Sequence, residues 1–340
     1  MTAPPFAPMW LRDNCHCGQC LDPRNGQKLV SVADVPAGVS VLSAEDGGDV
    51  LRVVFGPDGH RGVFPRSLFA RPPDDDGRTE DSKELWDTVR PTTVDWPDYL
   101  ARPAPLLNAV RRTGFGLLRA TPTDPGTVLE IVRTFGYVRT TNYGALFDVR
   151  VEERPTNLAF TGLSIGPHTD NPYRDPVPTL QLLHCLRNAA TGGESGLVDG
   201  FRAAALLRDT DLAAFTLLTR TPVSFAWTDG TTYLTARQPM IGVDPLGRIR
   251  EVRFNNRSLR PVSGTAAEQE AFYRAYRAFD ALLRRPGATV TFTLAPGDCV
   301  IFDNTRLLHS RTAFTDHGAR HLHGCYADLD ALQSVPATEE

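Results

Sequence analysis

Long apolar segments and basic runs are both missing from this sequence. No stretch of about 18 apolar residues occurs in the 340-residue chain, which excludes a predicted membrane-spanning helix. The first residues, Met1-Thr-Ala-Pro-Pro-Phe, show no basic region followed by an apolar one, so we expect no secretory leader and a cytoplasmic protein. The net charge of −4, with no cluster of Lys and Arg, argues against nucleic acid or an anionic membrane as a partner.

Cysteine is scarce and unevenly spread. The chain has six cysteines, too few for a disulfide scaffold in a chain of this length. Three of them crowd between Cys15 and Cys20, whereas Cys185, Cys299 and Cys325 stand apart in apolar surroundings. We expect the three isolated cysteines to be buried packing residues and the cluster to bind a metal.

The composition is that of an ordinary globular protein, with 41% hydrophobic and 22% charged residues. Residues 71–82 are polar, acidic and proline-bearing, which is typical of a linker. The sequence therefore predicts a small N-terminal domain with its linker over residues 1–90 and a larger domain over 91–340. The boundary should fall between residues 70 and 95.

Hydrophobic periodicity predicts the secondary structure. In the first part, four short strands are predicted at 28–32, 39–42, 50–55 and 62–65. In the second part, helical segments are predicted at 96–112, 124–135, 203–218 and 266–284. Asp124 followed by Pro125 predicts the beginning of one helix, and strands dominate from Tyr137 onward. This order favours a mainly β fold, a barrel or double sheet, with flanking helices.

A metal-binding pattern lies near the middle of the chain. In His168-Thr-Asp170 the histidine and the carboxylate are two residues apart, so on an extended segment both point to the same face. His309 is the candidate third ligand. Two imidazoles and one carboxylate leave coordination positions open, as non-haem Fe(II) needs for a bidentate co-substrate and O2. Arg320, eleven residues after His309 and among apolar neighbours, suits the distal carboxylate of such a co-substrate.

The sequence resembles the γ-butyrobetaine hydroxylase family, within the taurine-dioxygenase-like group, over nearly its whole length. The matching motifs are Leu11-Arg-Asp-Asn-Cys-His-Cys-Gly-Gln-Cys, His168-Thr-Asp-Asn-Pro-Tyr, Gln181-Leu-Leu-His-Cys, Gly192-Gly-Glu-Ser, Val198-Asp-Gly-Phe, Phe254-Asn-Asn, Pro296-Gly-Asp, Phe302-Asp-Asn-Thr-Arg-Leu-Leu-His and Arg320-His-Leu-His-Gly-Cys-Tyr-Ala-Asp. The resemblance implies a double-stranded β-helix (jelly-roll) catalytic domain that uses Fe(II), 2-oxoglutarate and O2, in a homodimer. It also implies that Arg320 grips 2-oxoglutarate, helped by Ser195 and the backbone near Leu183.

The N-terminal cysteines fit a structural zinc site. Cys15, Cys17 and Cys20 offer three thiolates, and tetrahedral zinc requires one more ligand. His60 occupies the position that the resemblance implies for this ligand, whereas the nearer His16 is poorly placed between two cysteines. A metal-free cluster of reduced thiols is the alternative. A small β domain would gain stability from such a metal.

The resemblance also implies a substrate pocket. The family holds a trimethylammonium group in an aromatic cage, through cation–π attraction and dispersion. The cage positions fall here on Tyr143, Phe147, Phe160 and Tyr326, and the positions that bind the substrate carboxylate fall on Asn157 and Asn255. Asn171 and Tyr173 add polar groups close to the metal motif. These additional groups favour 2-(trimethylamino)ethylphosphonate as the substrate, with γ-butyrobetaine as the alternative.

Two other functions are compatible with parts of the sequence. Gly162-Leu-Ser-Ile-Gly166 matches the nucleophile elbow of α/β hydrolases, with Ser164 as the nucleophile. The four prolines between residues 167 and 178 cannot continue the helix that this motif requires, so we interpret the match as accidental. A catalytically inactive binding protein is the second alternative, and the intact set of His168, Asp170, His309 and Arg320 argues against it.

Overall fold

The chain divides into two compact units in the computed structural model, which describes residues 6–69, 78–155, 158–315 and 320–333. The N-terminal unit comprises residues 1–75 and the C-terminal unit residues 76–340. Residues 78–90, which the sequence grouped with the linker, lie in the C-terminal unit. There the indole Nε1 of Trp86 donates to the Thr113 carbonyl, and its backbone N–H donates to Asp199. No helix in the described ranges is long and apolar enough to cross a membrane.

The N-terminal unit is a three-stranded antiparallel sheet with one short helix. Its elements are α1 (Pro8–Asp13), β1 (Ser40–Asp46), β2 (Val50–Gly56) and β3 (Arg61–Pro65), with the strand order β1-β2-β3. Leu11, Val53, Phe55 and Phe64 are buried between the helix and the sheet. The strand predicted at 28–32 is wrong, because the Ser31 hydroxyl accepts from Ala33 N–H and begins a 3₁₀ turn instead.

Seven helices lie in the described part of the C-terminal unit. They are α2 (Trp96–Ala101), α3 (Ala104–Thr113), α4 (Thr127–Arg133), α5 (Gly200–Thr210), α6 (Leu212–Arg220), α7 (Ala266–Leu283) and α8 (Asp330–Gln333). The segment 96–112 is two helices, not one, because Pro103 has no N–H to continue the ladder. The segment 203–218 is also split, since the Asp211 carboxylate accepts from Ala214 N–H and caps a new helix.

The predicted beginning of α4 is wrong. The helix begins at Thr127, and the residue before it is Gly126, whose φ of 91° lies in the left-handed region. Asp124 and Pro125 form a turn outside the helix, closed by a bond from Thr127 N–H to the Asp124 carbonyl. α7 begins with the capping box of Thr265 and Glu268, and its bounds differ from the predicted 266–284 by one residue.

Two sheets form the centre of the C-terminal unit. Its strands are β4 (Thr93–Asp95), β5 (Phe115–Arg119), β6 (Phe147–Val149), β7 (Ile165–His168), β8 (Leu180–Asn188), β9 (Ser195–Asp199), β10 (Val223–Thr228), β11 (Tyr233–Gln238), β12 (Ile241–Val243), β13 (Ile249–Val252), β14 (Thr289–Phe292), β15 (Cys299–Asp303), β16 (Leu307–Arg311) and β17 (Arg320–Ala327). The larger sheet has the order β4-β5-β15-β8-β17-β6 and the smaller one β14-β9-β16-β7. The prediction of a mainly β fold with flanking helices is confirmed.

The larger sheet separates α3 and α4 from a central pocket. On β8, Leu180 and Leu182 pack with residues of α3 and α4, whereas Gln181 and Leu183 line the pocket. This alternation is the period of two that a β-strand imposes on its side chains. The three isolated cysteines are fully buried, as predicted.

A buried ion pair anchors β9 and β16, the strands at the centre of the smaller sheet. Arg306 and Asp199 are both fully buried, and the Arg306 Nη2 to Asp199 Oδ2 distance is 2.7 Å. Arg306 also donates to the carbonyls of Arg112 and Glu84, which satisfies more of its N–H groups. Removing one partner would leave an uncompensated buried charge. This pair explains the aspartate of the Val198-Asp-Gly-Phe motif and the arginine of the Phe302 motif.

Candidate active site

A cavity of about 360 Å³ lies between the two sheets. It is lined by thirteen of the fourteen residues that the sequence predicted for iron, 2-oxoglutarate and substrate. These are His168, Asp170, His309, Arg320, Ser195, Leu183, Tyr143, Phe147, Phe160, Tyr326, Asn171, Tyr173 and Asn255. The fourteenth, Asn157, lies outside the described residues.

His168, Asp170 and His309 converge on one wall of this cavity. His168 ends β7, His309 lies on β16, and the two are cross-strand partners. The Nε2 of His168 is 3.5 Å from Asp170 Oδ1, and the Nε2 of His309 is 4.0 Å from Asp170 Oδ2. Three ligand atoms of mixed nitrogen and oxygen character therefore face one point, which is the donor set that a mononuclear non-haem iron prefers.

Neighbouring groups prepare these side chains for a cation. His168 Nδ1 donates to the Gly166 carbonyl at 2.9 Å, which leaves the lone pair on Nε2. Burial, together with the adjacent His168, lowers the pKa of His309 to about 3, so its imidazole is neutral. Although burial alone would raise the pKa of Asp170, His309, His168 and the Tyr326 hydroxyl keep it below its usual range. At neutral pH, therefore, a neutral His309 imidazole and an ionised Asp170 carboxylate face the Nε2 of His168.

Asp170 is held by three residues whose roles the sequence did not predict. Gln181 Nε2 and the Tyr326 hydroxyl both donate to Asp170 Oδ2, each at 2.9 Å, so Oδ1 stays available. The Asn304 side chain accepts from Asp170 N–H at 2.8 Å and donates to the Asp170 carbonyl at 3.0 Å. Gln181 and Asn304 belong to the matched motifs, but only the folded chain shows that both contact Asp170.

Arg320 is a buried cation beside the cavity. It is 4% exposed, its guanidinium lies over the Phe314 ring at 5.4 Å, and its Nε has no hydrogen-bond partner. Within the described ranges, no carboxylate forms an ion pair with Arg320. A buried charge with unsatisfied N–H groups is unfavourable unless an anion binds it. Gly193, with a φ of 74°, allows this position, because a Cβ there would lie 3.2 Å from Arg320 Cδ and Nε.

Aromatic rings form a continuous wall on another side of the cavity. Ring centroids are 5.1 Å apart for Phe147 and Tyr326, and 6.0 Å apart for Tyr143 and Phe147. Phe147 lies over Gly324, where a Cβ would meet its ring at 2.2 Å, so this position excludes a larger side chain. Phe160 lines the cavity on a 3₁₀ turn and joins no ring pair among the described residues.

Trp227 extends this wall and was missed by the sequence analysis. Its ring lies 5.7 Å from Tyr143 and 6.0 Å from Tyr173, and it belongs to β10, outside the matched motifs. A single tryptophan in a strand pattern carries no signal for a ligand site. Only the packing of β10 beside the pocket brings it to the other rings.

Polar groups lie beside the aromatic wall. Asn171 has a left-handed φ of 54°; its Oδ1 accepts from the Tyr173 hydroxyl at 2.6 Å, and its buried Nδ2 has no partner. Asn255 is partly engaged, because Nδ2 donates to the Thr169 carbonyl and Oδ1 accepts from Arg257 N–H. Arg257 lines the cavity and stays exposed, a cation for which the sequence analysis assigned no role.

The N-terminal unit holds a separate cluster of the four predicted zinc ligands. The Nε2 of His60 is 3.4, 3.6 and 3.5 Å from the Sγ atoms of Cys15, Cys17 and Cys20. Tetrahedral zinc with ordinary Zn–S and Zn–N lengths requires such edges to be about 3.5 Å. Arg12 Nη1 donates to Cys20 Sγ at 3.1 Å. The donor set and its spacing fit zinc.

The hydrolase alternative does not fit this geometry. Ser164 is followed directly by β7, a strand, and a nucleophile elbow requires a helix there.

Fold and site together define a non-haem iron oxygenase, and comparison with known proteins gives the family. The chain belongs to the family described as taurine catabolism dioxygenase TauD, TfdA family, whose model matches residues 78–326, and it is an Fe(II)- and 2-oxoglutarate-dependent dioxygenase. It is 37% identical to γ-butyrobetaine dioxygenase of Pseudomonas sp. (strain AK-1), covering 97% of this chain and 89% of that protein. It is 31% identical to human γ-butyrobetaine dioxygenase, with the same two coverages.

Two further similarities are more distant. Trimethyllysine dioxygenase of Meyerozyma guilliermondii is 29% identical, covering 97% of this chain and 89% of that protein. The solved structure of asparagine oxygenase with Fe(II), 3-hydroxyasparagine and succinate aligns with a TM-score of 0.51 at 22% identity. That alignment covers 69% of this chain and 80% of that chain, and it supports the fold alone.

Proposed function

We propose that this dioxygenase hydroxylates a small trimethylammonium zwitterion, with γ-butyrobetaine as the first candidate. The observation that carries the proposal is the aromatic wall of Tyr143, Phe147, Tyr326 and Trp227, which begins directly beside Asp170. A quaternary ammonium has no N–H to donate, so aromatic faces are its natural partners. Relatives named for γ-butyrobetaine and trimethyllysine agree with this choice.

In this proposal, His168, Asp170 and His309 hold Fe(II), and Arg320, with Ser195 and the backbone near Leu183, binds 2-oxoglutarate. The donor set and the buried guanidinium of Arg320, whose Nε has no hydrogen-bond partner, support these assignments. The iron and its co-substrate supply the oxidation: 2-oxoglutarate, O2 and the substrate C–H become succinate, CO2 and an alcohol. The chain itself orients Asp170 through Gln181, Tyr326 and Asn304 and keeps the aromatic side of the cavity apolar.

The anionic end of the substrate is assigned to the polar groups beside the wall. Asn171 Nδ2 is a buried donor without a partner, and Arg257 adds a positive charge within the cavity. Both suit a carboxylate or a phosphonate. The sequence analysis favoured 2-(trimethylamino)ethylphosphonate; the relatives favour γ-butyrobetaine, which we therefore place first. A homodimer and a cytoplasmic location stay predictions.

Succinate formation tests the proposal. The purified protein with Fe(II), ascorbate and 2-oxoglutarate is expected to form succinate and hydroxylated product in equal amounts with γ-butyrobetaine. Trimethyllysine and 2-(trimethylamino)ethylphosphonate are run in parallel. Faster coupled turnover of the phosphonate would reverse the order of the two candidates. Equal, uncoupled succinate formation with every compound would contradict a trimethylammonium substrate.

Replacing Tyr143 or Trp227 with leucine is expected to raise KM for the trimethylammonium substrate about 3- to 30-fold, because each ring contributes about 0.5–2 kcal/mol of cation–π attraction. The matched comparison is a neutral analogue with carbon in place of nitrogen, tested as a competitive inhibitor. Its affinity should change much less than that of the charged substrate. Equal losses for both compounds would show that the rings supply shape and not cation–π attraction.

Replacing Cys17 with serine is expected to remove one equivalent of zinc per chain and to lower the Tm. A structural zinc ion contributes directly to folding free energy, and its loss leaves a small three-stranded sheet with little core. Zinc content is measured by mass spectrometry and Tm by calorimetry. Cys185→Ser, at a buried cysteine outside the cluster, is the control that should keep the zinc even if it lowers Tm. Purified protein without zinc would contradict this assignment.

A further inference from the structure

A second cluster of metal-binding side chains lies in the C-terminal unit and has no assigned role. Asp148 on β6 and His321 and His323 on β17 place one ligand atom each within 4.8 Å of one another. The Nε2 atoms of both histidines approach the same oxygen, Asp148 Oδ1, at 2.5 Å for His321 and 3.4 Å for His323. In the sequence, His321 and His323 belong to the matched motif that begins at Arg320, and no role was predicted for either.

This cluster lies on the face of the larger sheet opposite the pocket triad. On β17, Arg320, Leu322 and Tyr326 line the pocket, so the alternating residues His321 and His323 point away from it. Cys325, on the same face as the two histidines, contacts the Val128 carbonyl of α4. Asp148 is the cross-strand partner of His323 and borders the cavity, but its carboxylate turns to the histidines.

We propose that Asp148, His321 and His323 form a second metal site for a divalent cation of the zinc class. Two histidines at positions i and i+2 of one strand, with a carboxylate from the neighbouring strand, supply three ligands of the types that zinc and cobalt(II) prefer. The side chains of Asp148 and His321 are 38% and 23% exposed, so a cation can enter and keep a water as its fourth ligand. His323, 6% exposed, is the inner ligand.

The cation would fix a wall of the active site. β6 is an edge strand of three residues that, among the described strands, pairs only with β17, so few hydrogen bonds hold it. The same strand presents Phe147 and Val149 to the cavity. A metal bound by Asp148 and the two histidines joins β6 to β17 through side chains and stabilises Phe147 over Gly324.

Three nearby groups weaken cation binding at this site. We therefore expect a lower metal affinity here than at the cluster of Cys15, Cys17, Cys20 and His60. The positive charge of Arg150 acts on Asp148 and His323, and Arg187 is the cross-strand partner of His321. Gly126 N–H donates to His323 Nδ1 at 3.4 Å. This long contact must open when a cation takes Nε2, because Nδ1 then carries the imidazole proton. Binding should therefore also shift the residues that precede α4.

Cobalt(II) binding tests the proposal in the full chain. The parent for this experiment carries His168→Gln and His309→Gln, which remove the pocket ligands. Equilibrium dialysis with metal analysis counts bound cobalt, and the visible spectrum separates thiolate from nitrogen and oxygen ligands. We expect one nitrogen- and oxygen-ligated cobalt per chain, in addition to any at the cysteines. Asp148→Asn or His321→Gln in this parent should lose it, whereas His16→Gln, at an exposed histidine outside the cluster, should keep it.

Melting temperatures make the result independent of folding defects and of enzyme activity. The Tm in EDTA gives the metal-free stability of each protein, and added cobalt should raise Tm above that value more in the parent than in Asp148→Asn. Should Asp148→Asn fail to fold, His321→Gln decides by the same two measurements. A parent that binds cobalt only through thiolates, or equal cobalt counts in parent and variants, overturns the proposal. Neither result depends on which substrate the pocket oxidises.

Discussion

Replacing Asp170 with alanine is expected to abolish coupled succinate formation, lowering kcat by at least about a thousandfold. Asp170 is the only carboxylate of its three-residue set, and its charge offsets much of the charge of a divalent cation. Without it, only the two imidazoles remain, and the hydrogen bonds from Gln181 and Tyr326 lose their acceptor. Fe(II) binding and turnover should therefore fall together.

Two further variants are compared with Asp170→Ala. Asn304→Ala keeps all three ligands but removes the bonds that position the Asp170 backbone, so we expect an intermediate loss of about 10- to 100-fold. Ser164→Ala should retain full activity, because Ser164 stands on the exposed approach to β7. Wild-type activity in Asp170→Ala, or loss of activity in Ser164→Ala alone, would contradict the assigned metal site.

Replacing Arg320 with alanine is expected to raise KM for 2-oxoglutarate by about 30-fold or more. The reason is the loss of a desolvated, charge-assisted bond worth about 2–5 kcal/mol, of which each 1.4 kcal/mol is a factor of ten. We expect a large rise in KM because Arg320 is buried against Phe314 and its Nε has no hydrogen-bond partner. Titration of succinate formation against 2-oxoglutarate measures the change.

The KM values of a second variant, and for both substrates, show which molecule Arg320 binds. Arg320→Lys keeps the charge but loses the planar fork, so its KM for 2-oxoglutarate should lie between wild type and Arg320→Ala. KM for the trimethylammonium substrate should change little in either variant. A larger effect on that KM than on the 2-oxoglutarate KM would mean that Arg320 binds the substrate instead.

Local sequence patterns predicted the ligand types of the iron site and of the zinc site. His168 ends a strand and Asp170 follows two residues later, so an extended segment predicts that both side chains point to the same side. Three cysteines within six residues must lie close together in any fold, and the type of metal follows from their sulfur ligands. The choice of His60 came from the family resemblance, which also supported His309 and Arg320 as distant partners of the His168 motif. No local pattern connects residues so far apart in the chain.

Local patterns failed where a single backbone or side-chain group decided the outcome. Pro103 and Asp211 each ended a helix inside a continuous apolar pattern, because one lacks an N–H and the other caps the next helix. The apolar segment at 28–32 did not form a strand, since the Ser31 hydroxyl satisfies the backbone locally. Hydrophobic periodicity describes which face is buried and does not record these breaks.

By itself, then, the sequence determined the ligand types, the mainly β class and the family. The tertiary structure alone decided that Gln181, Asn304 and Tyr326 position Asp170, and that Trp227 joins the aromatic wall. It also decided that His321, His323 and Asp148 meet on the opposite face of the sheet. The physical reason is that these contacts depend on strand register and sheet order. Both are set by long-range pairing, and a shift of one residue in register would turn the side chains on these strands, such as Gln181, Tyr326 and His321, to the other face.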